Sequence, residues 1–215
     1  MEKQKTVKPV NFLFLGFYAL SGLFIEWLLS LLEPFLFGGF TKTTQQCLHL
    51  IIACILWGVV SFFLIYRAKI KYLFNMFALR GKIDGKYLAV CIFLLFAVFL
   101  ISTRLEGGIK PLLDFRNLDT VTFIFQQIYQ LLKALMVLLV IIFGQHFGEL
   151  YFEREDIPWG GFLLAFTWGW AHLSVQSNAE GFFAMMLSIV YGVVYMYFKK
   201  DLRYVGPIIA IMFIL

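Results

Sequence analysis

The densest run of chemistry-bearing side chains is Gln145-His146-Phe147-Gly148-Glu149-Leu150-Tyr151-Phe152-Glu153-Arg154-Glu155-Asp156. On a helix, His146, Glu149 and Glu153 fall on one face through steps of three and four residues. An imidazole with two carboxylates can hold a divalent metal, shift one another's proton affinity or activate a water. The same pattern also fits a charged helix end in contact with solvent, and both readings stay open at this point. A second feature follows one helical hairpin later, where Trp168-Gly169-Trp170-Ala171-His172-Leu173 sets His172 deep in an apolar run. Alone, such a histidine is more often a hydrogen-bonded core residue than a catalyst. After a glutamate cluster it becomes a candidate partner for Glu149.

Other polar groups interrupt apolar runs, where each is costly and therefore a functional candidate. Glu26 lies late in the first run and His49 at the start of the second. Gln126, Gln130 and Lys133 follow i, i+4, i+7 spacing, which puts them on one helix face. That face is expected to join its helix to neighbours through side-chain hydrogen bonds, with Lys133 pairing with Glu26. A solute path along the same face is the competing idea, but no inverted repeat or pair of broken helices accompanies it.

These residues need elements to hold them, and the composition says which kind. The chain has 215 residues, 61% of them hydrophobic and 14% charged, with a mean hydropathy of +0.85. A soluble domain is about 45–50% apolar and about 25% charged. The excess excludes a water-soluble enzyme, a disordered tail and a nucleic-acid-binding module. Cys47, Cys54 and Cys91 all sit inside apolar runs, which argues against a disulfide framework or a zinc site. Six apolar runs approach the roughly 20 residues that cross a bilayer as a helix. They cover about Val10–Leu32, Leu48–Tyr66, Tyr87–Ser102, Val121–Phe147, Trp159–Val175 and Gly181–Phe198. The first is too long for a signal-peptide core and no cleavage site follows it, so it is expected to stay as a span. Tyr204–Leu215 is shorter: a half-span packed on the bundle, or the start of a span in a longer chain. The runs are continuous rather than alternating, so the expected class is all-α: a polytopic transmembrane helix bundle of six spans plus a short C-terminal half-span. It forms one integral membrane domain over residues 1–215.

Positive charge sets the expected orientation. Lys3, Lys5 and Lys8, then Arg67, Lys69, Lys71, Arg80, Lys82 and Lys86, then Lys199, Lys200 and Arg203 share one side if there are six spans. That side, with the N-terminus, is expected to be cytoplasmic. Residues 67–86 mix these charges with Tyr72, Phe74 and Phe77, which suits either a basic helix on the inner leaflet or a solvated loop with apolar anchors. Between Arg104 and Asp119 the charges balance, as expected for an outer loop.

The second half resembles the CAAX-protease and bacteriocin-processing (CPBP, or Abi) family of intramembrane proteases, over about residues 121–215. Glu149 and Arg154 have the spacing of the first Glu and the Arg in that family's Glu-Glu-x-x-x-Arg motif, with Leu150 at the second Glu. In a second register, Gly148-Glu149-Leu150-Tyr151-Phe152 looks like Glu-Glu-Leu-Phe-Phe, and Glu153 takes the Arg position. Trp168-Gly169-Trp170-Ala171-His172-Leu173 resembles the second motif, Phe-Gly-Leu-Ala-His-Leu. Lys199 to Pro207 resembles the turn into the family's last span, but no His or Asn follows. The resemblance implies an endopeptidase in which Glu149 activates a water, His172 supports the developing oxyanion and Arg154 orients a carboxylate. His146, Glu149 and His172 would be the residues to hold a divalent metal, if one is used. The implied partners are the lipid bilayer and a peptide or protein substrate. Leu150 and the missing third motif point the other way, to a non-catalytic relative acting as scaffold, immunity protein or membrane partner. A plain hairpin turning at Ile157–Pro158 would offset Glu149 and His172 by roughly 10 Å.

Overall fold

The computed structural model describes residues 8–79, 85–175 and 178–215, which form helices joined by short turns. The helices are α1 (Val10–Phe37), α2 (Lys42–Tyr72), α3 (Gly85–Glu106), α4 (Lys110–Asn117), α5 (Thr120–Phe152), α6 (Trp159–Leu164), α7 (Trp170–Val175), α8 (Asn178–Tyr197) and α9 (Leu202–Ile214). A π-helical stretch, Ala165–Gly169, joins α6 to α7, so Trp159–Val175 is one continuous rod with a widened middle. Among the described residues, α1, α2, α3, α5 and α8 are long and apolar enough to cross a membrane. Outward-facing Phe14, Trp27, Phe62, Phe93 and Phe96 on three of them suit contact with lipid rather than water.

The helices outrun the apolar runs because polar residues cap them. Thr41 Oγ1 accepts from the Thr44 amide and opens α2. Asp119 accepts from the amides of Val121 and Thr122 and from the Thr122 hydroxyl, opening α5. Asp201 opens α9 by accepting from the Arg203 amide while its carboxylate grips the Arg203 guanidinium. Each such cap satisfies amides that have no partner inside the helix.

α5 is the axis of the bundle. α1, α2, α6 and α9 pack directly on it, and every residue from Met136 to Gln145 is buried. A helix apolar on all sides is stable only when neighbours surround it. Glycines set the closest approaches. A Cβ on Gly160 would lie 2.1 Å from the Ile141 carbonyl oxygen of α5, and one on Gly192 of α8 2.7 Å from the Gly161 Cα. α6 is thus pressed between α5 and α8, backbone against backbone, as small residues allow inside a membrane. At the centre of the α1–α2–α5 contact, the fully buried Trp57 donates from Nε1 to the Gly22 carbonyl at 3.0 Å. Trp57→Phe removes that donor and part of the ring. A melting experiment in detergent should show a loss of about 2 kcal/mol; an unchanged melt would mean the contact contributes nothing.

Five of the six expected runs coincide with the five long apolar helices. The run Trp159–Val175 is helical but broken by its π stretch, and Tyr204–Leu215 lies in the short helix α9. α4 stands where a loop is expected. Residues 73–79 are non-helical after the left-handed residue Leu73 closes α2. Lys3, Lys5, Arg80 and Lys82, which entered the charge count, lie outside the described residues.

Candidate functional site

Polar side chains gather at two levels of the bundle. The first lies where α5 ends. The Glu149 carboxylate accepts from Gln145 Nε2 at 2.6 Å and pairs with Lys200 Nζ at 2.8 Å, at the turn into α9. Its side chain is 11% exposed. Gln145, fully enclosed, also donates to the Ile157 carbonyl and accepts from the Gly160 amide. One glutamine therefore ties the α5–α6 connection to α5 and hands its second amide proton to Glu149. Lys199 and Lys200 both adopt left-handed backbone, φ 53° and 62°, and this tight turn delivers the Lys200 ammonium to Glu149. The arrangement is a charge-assisted network with its partners in place.

The other expected members of that site go elsewhere. Glu153 is the left-handed residue closing α5 and is exposed. Arg154 makes a two-pronged contact with Asp156, at 3.0 and 2.6 Å, on the surface. The guanidinium holds the Asp156 carboxyl below its ordinary range and is not directed at Glu149. His146 lies against the rings of Phe12 and Phe74, with centroids 4.3 and 4.5 Å away. His146, Glu149 and His172 are not brought together. Among the described residues no group of three or more His, Cys, Asp or Glu side chains is placed to hold a metal.

The second level is mid-bundle. His49 of α2 stands between two carboxylates of α1, with Nε2 3.3 Å from Glu26 and Nδ1 bonded to Glu33. Both ring nitrogens meet acceptors, which suits the doubly protonated ring. Tyr129 of α5 donates to Glu26 at 3.0 Å, and Lys133 Nζ donates to the Tyr129 hydroxyl at 3.3 Å. The Lys133 ammonium also faces the rings of Trp57, Tyr129 and Trp168 at 5.9, 5.3 and 5.5 Å. His172 completes the level: its ring centroid is 4.4 Å from that of Trp168, and Nδ1 bonds the Trp168 carbonyl at 2.9 Å. A carbonyl only accepts, so Nδ1 carries the proton and Nε2 is the ring's acceptor.

His172 therefore belongs with Lys133 and not with Glu149. The two α5 residues are sixteen positions apart, about 24 Å along a helix. The offset exceeds that of a plain hairpin because the chain between Glu153 and Pro158 climbs back along α5. Gly160 already lies beside Ile141, and Leu163 beside Gly144. The expected direct pair of Lys133 with Glu26 is replaced by a relay through Tyr129. Two participants, Glu33 and Tyr129, are not singled out by the sequence. Glu26 and Glu33 are seven residues apart on one face of α1, a spacing that could have flagged the second carboxylate. Lys200 was legible only as a topology charge. Comparison with known proteins finds no matching family model, no similar curated protein and no similar solved structure.

Proposed function

We propose that this chain is a CPBP-like integral membrane protein that works without peptide-bond chemistry, as a scaffold, immunity protein or partner of another membrane protein. One observation carries this reading: Glu149, the residue expected to activate water, is held by Lys200 and Gln145 and lies about 24 Å along α5 from the level of His172. A general base must reach the water it activates and must be free to take its proton. Here the carboxylate is neutralised by an ammonium and the histidine is occupied at another depth. In the proposed arrangement the rod Trp159–Val175 is the fifth of six spans, α9 is a half-span, and the N-terminus is cytoplasmic. Lys8, Arg67, Lys69, Lys71, Lys86, Lys199, Lys200 and Arg203 would then face the cytoplasm together.

The test combines a chemical and a cellular readout. In proteoliposomes offered prenylated CAAX-type and leader peptides, the wild type and Glu149→Gln should release product at the same background rate. In a host strain lacking the chain, the Glu149→Gln/His172→Ala double variant should restore whatever trait the wild type restores. Peptide release that disappears with Glu149→Gln would overturn the proposal, as would a folded double variant that restores nothing.

A further inference from the structure

A cavity of about 430 Å³ enters the bundle beside the mid-bundle level, and the proposed function does not use it. Glu106, Lys110 and Glu180 line its mouth at the ends of α3, α4 and α8, and Glu106 pairs with Lys110. Gln130, Lys133 and Val137 then follow one another inward along α5, at i, i+3 and i+7 on one helix face. Polar atoms make up more of the lining than apolar ones. A polar wall inside a bundle is satisfied by water or by a ligand. The volume is within the range of about 300–1,000 Å³ typical of small-molecule sites.

Gln130 is the residue that points to a ligand. It is 8% exposed, and among the described residues nothing hydrogen-bonds its amide. The helix-joining bond expected of it is not made. The amide is not sealed in either: it opens onto the cavity. A buried amide with neither its N–H groups nor its carbonyl engaged is costly, and a molecule offering both hydrogens and lone pairs relieves it. His172 is a second such group in the lining. Its Nδ1 proton goes to the Trp168 carbonyl, which leaves Nε2 to accept. The charges say what kind of molecule fits. Two carboxylates, Glu106 and Glu180, stand against two ammonium groups, Lys110 and Lys133, so the lining is formally balanced. The Lys133 ammonium is already met by the Tyr129 hydroxyl and three aromatic rings, a stabilisation that calls for no counter-anion. An ionic guest of either sign would break the balance, and a carboxylate would also face the Nε2 lone pair. A hydroxyl both donates and accepts, and the rings of Trp168 and Phe183 offer surface to a carbon skeleton.

We infer that this cavity binds a neutral polyol of hexose size or smaller, entering from water through the charged mouth. Its hydroxyls donate to His172 Nε2 and to the Gln130 carbonyl oxygen and accept from Gln130 Nε2, while its carbon skeleton lies against Trp168 and Phe183. Binding exchanges hydrogen bonds with water for hydrogen bonds with the wall and leaves the charge of the site unchanged.

The experiment uses the full chain in nanodiscs and saturation-transfer NMR with glycerol, D-mannitol, myo-inositol and D-glucose, each compared with empty nanodiscs. Sodium acetate and glycine are the ionic comparisons. At least one polyol should show saturable transfer from the wild type. Gln130→Met keeps the length of the side chain and removes its amide, and should weaken that binding about tenfold. Ala184→Leu sets a larger apolar side chain in the lining from α8 and leaves Gln130 in place; it should abolish the transfer. Size exclusion checks that each variant is folded, and either one carries the test where the other fails to fold. No transfer to any of the four polyols, wild-type affinity in folded Gln130→Met, undiminished binding in folded Ala184→Leu, or tighter binding of acetate or glycine than of every polyol would each overturn the inference.

Discussion

His49→Leu should unfold at a markedly lower temperature than the wild type, with a loss of about 3–5 kcal/mol. The imidazole stands between Glu26 and Glu33, two mostly buried carboxylates of α1, and each faces one of its nitrogens. Replacing it by an apolar side chain leaves two acidic groups facing each other without the proton donor between them. Taking one partner from a buried pair costs far more than the pair contributes, because the remaining charge has lost its compensation. Tyr129 still donates to Glu26, so Glu33 is the residue left worst placed. His49→Leu combined with Glu33→Gln should therefore recover part of the lost stability, and the cycle of single and double variants measures the coupling. A His49→Leu protein that melts like the wild type would show that the cluster does not hold α1 to α2.

The second large effect is steric. Gly160→Ala would place a methyl carbon 2.1 Å from the Ile141 carbonyl oxygen and 2.8 Å from its carbon. These are backbone atoms of the buried axis, so no rotamer change relieves the overlap. α6 would have to leave α5, and on its other side Gly161 already touches the backbone of Gly192 and Ser188. A cost of about 3 kcal/mol or more is expected, seen as loss of the folded fraction on size exclusion or a sharply lowered melting temperature. Gly58→Ala is the matched control. Nothing lies within 4 Å of its added methyl, and alanine in mid-helix should leave stability unchanged or raise it by about 0.5–1 kcal/mol. Equal behaviour of the two variants would contradict the close packing described for α6.

The two predictions mark what a sequence makes legible. Continuous apolar runs announce α1, α2, α3, α5 and α8, because a lipid-facing helix must be apolar along its length. Their ends were less legible, since Lys42–Thr44 and Lys69–Tyr72 extend α2 beyond its apolar part through caps and end charges. α4 was hidden because its eight residues balance charge like a loop. For the candidate site, polar interruptions of apolar runs single out Glu26, His49 and His172, and helical spacing singles out Gln130, Lys133 and Glu149, all six lying within the bundle, whereas Glu153 of the same spacing is exposed. Neither pattern gives their partners. Glu149 meets Lys200 fifty-one residues later, through a left-handed two-residue turn that no local pattern announces. The depth of His172 relative to Glu149 depended on how the chain between Glu153 and Pro158 folds back, and hydropathy is silent on that.

The widened turn at Ala165–Gly169 bears on how this chain tolerates change in length. A π turn holds one residue more than an α turn of the same height. Removing a single residue there would let the rod settle into an unbroken α-helix of better local geometry, and everything beyond would rotate by about 100° around its axis. His172 would turn out of the space it shares with Lys133 of α5, and the Leu173 backbone would no longer meet Gly181, where an added Cβ already lies within 2.6 Å. The stretch works like the phase setting of a gear: its local irregularity fixes which teeth of the rod engage α5 and α8. A substitution at the exposed Phe166 keeps that phase in a way that a one-residue deletion does not.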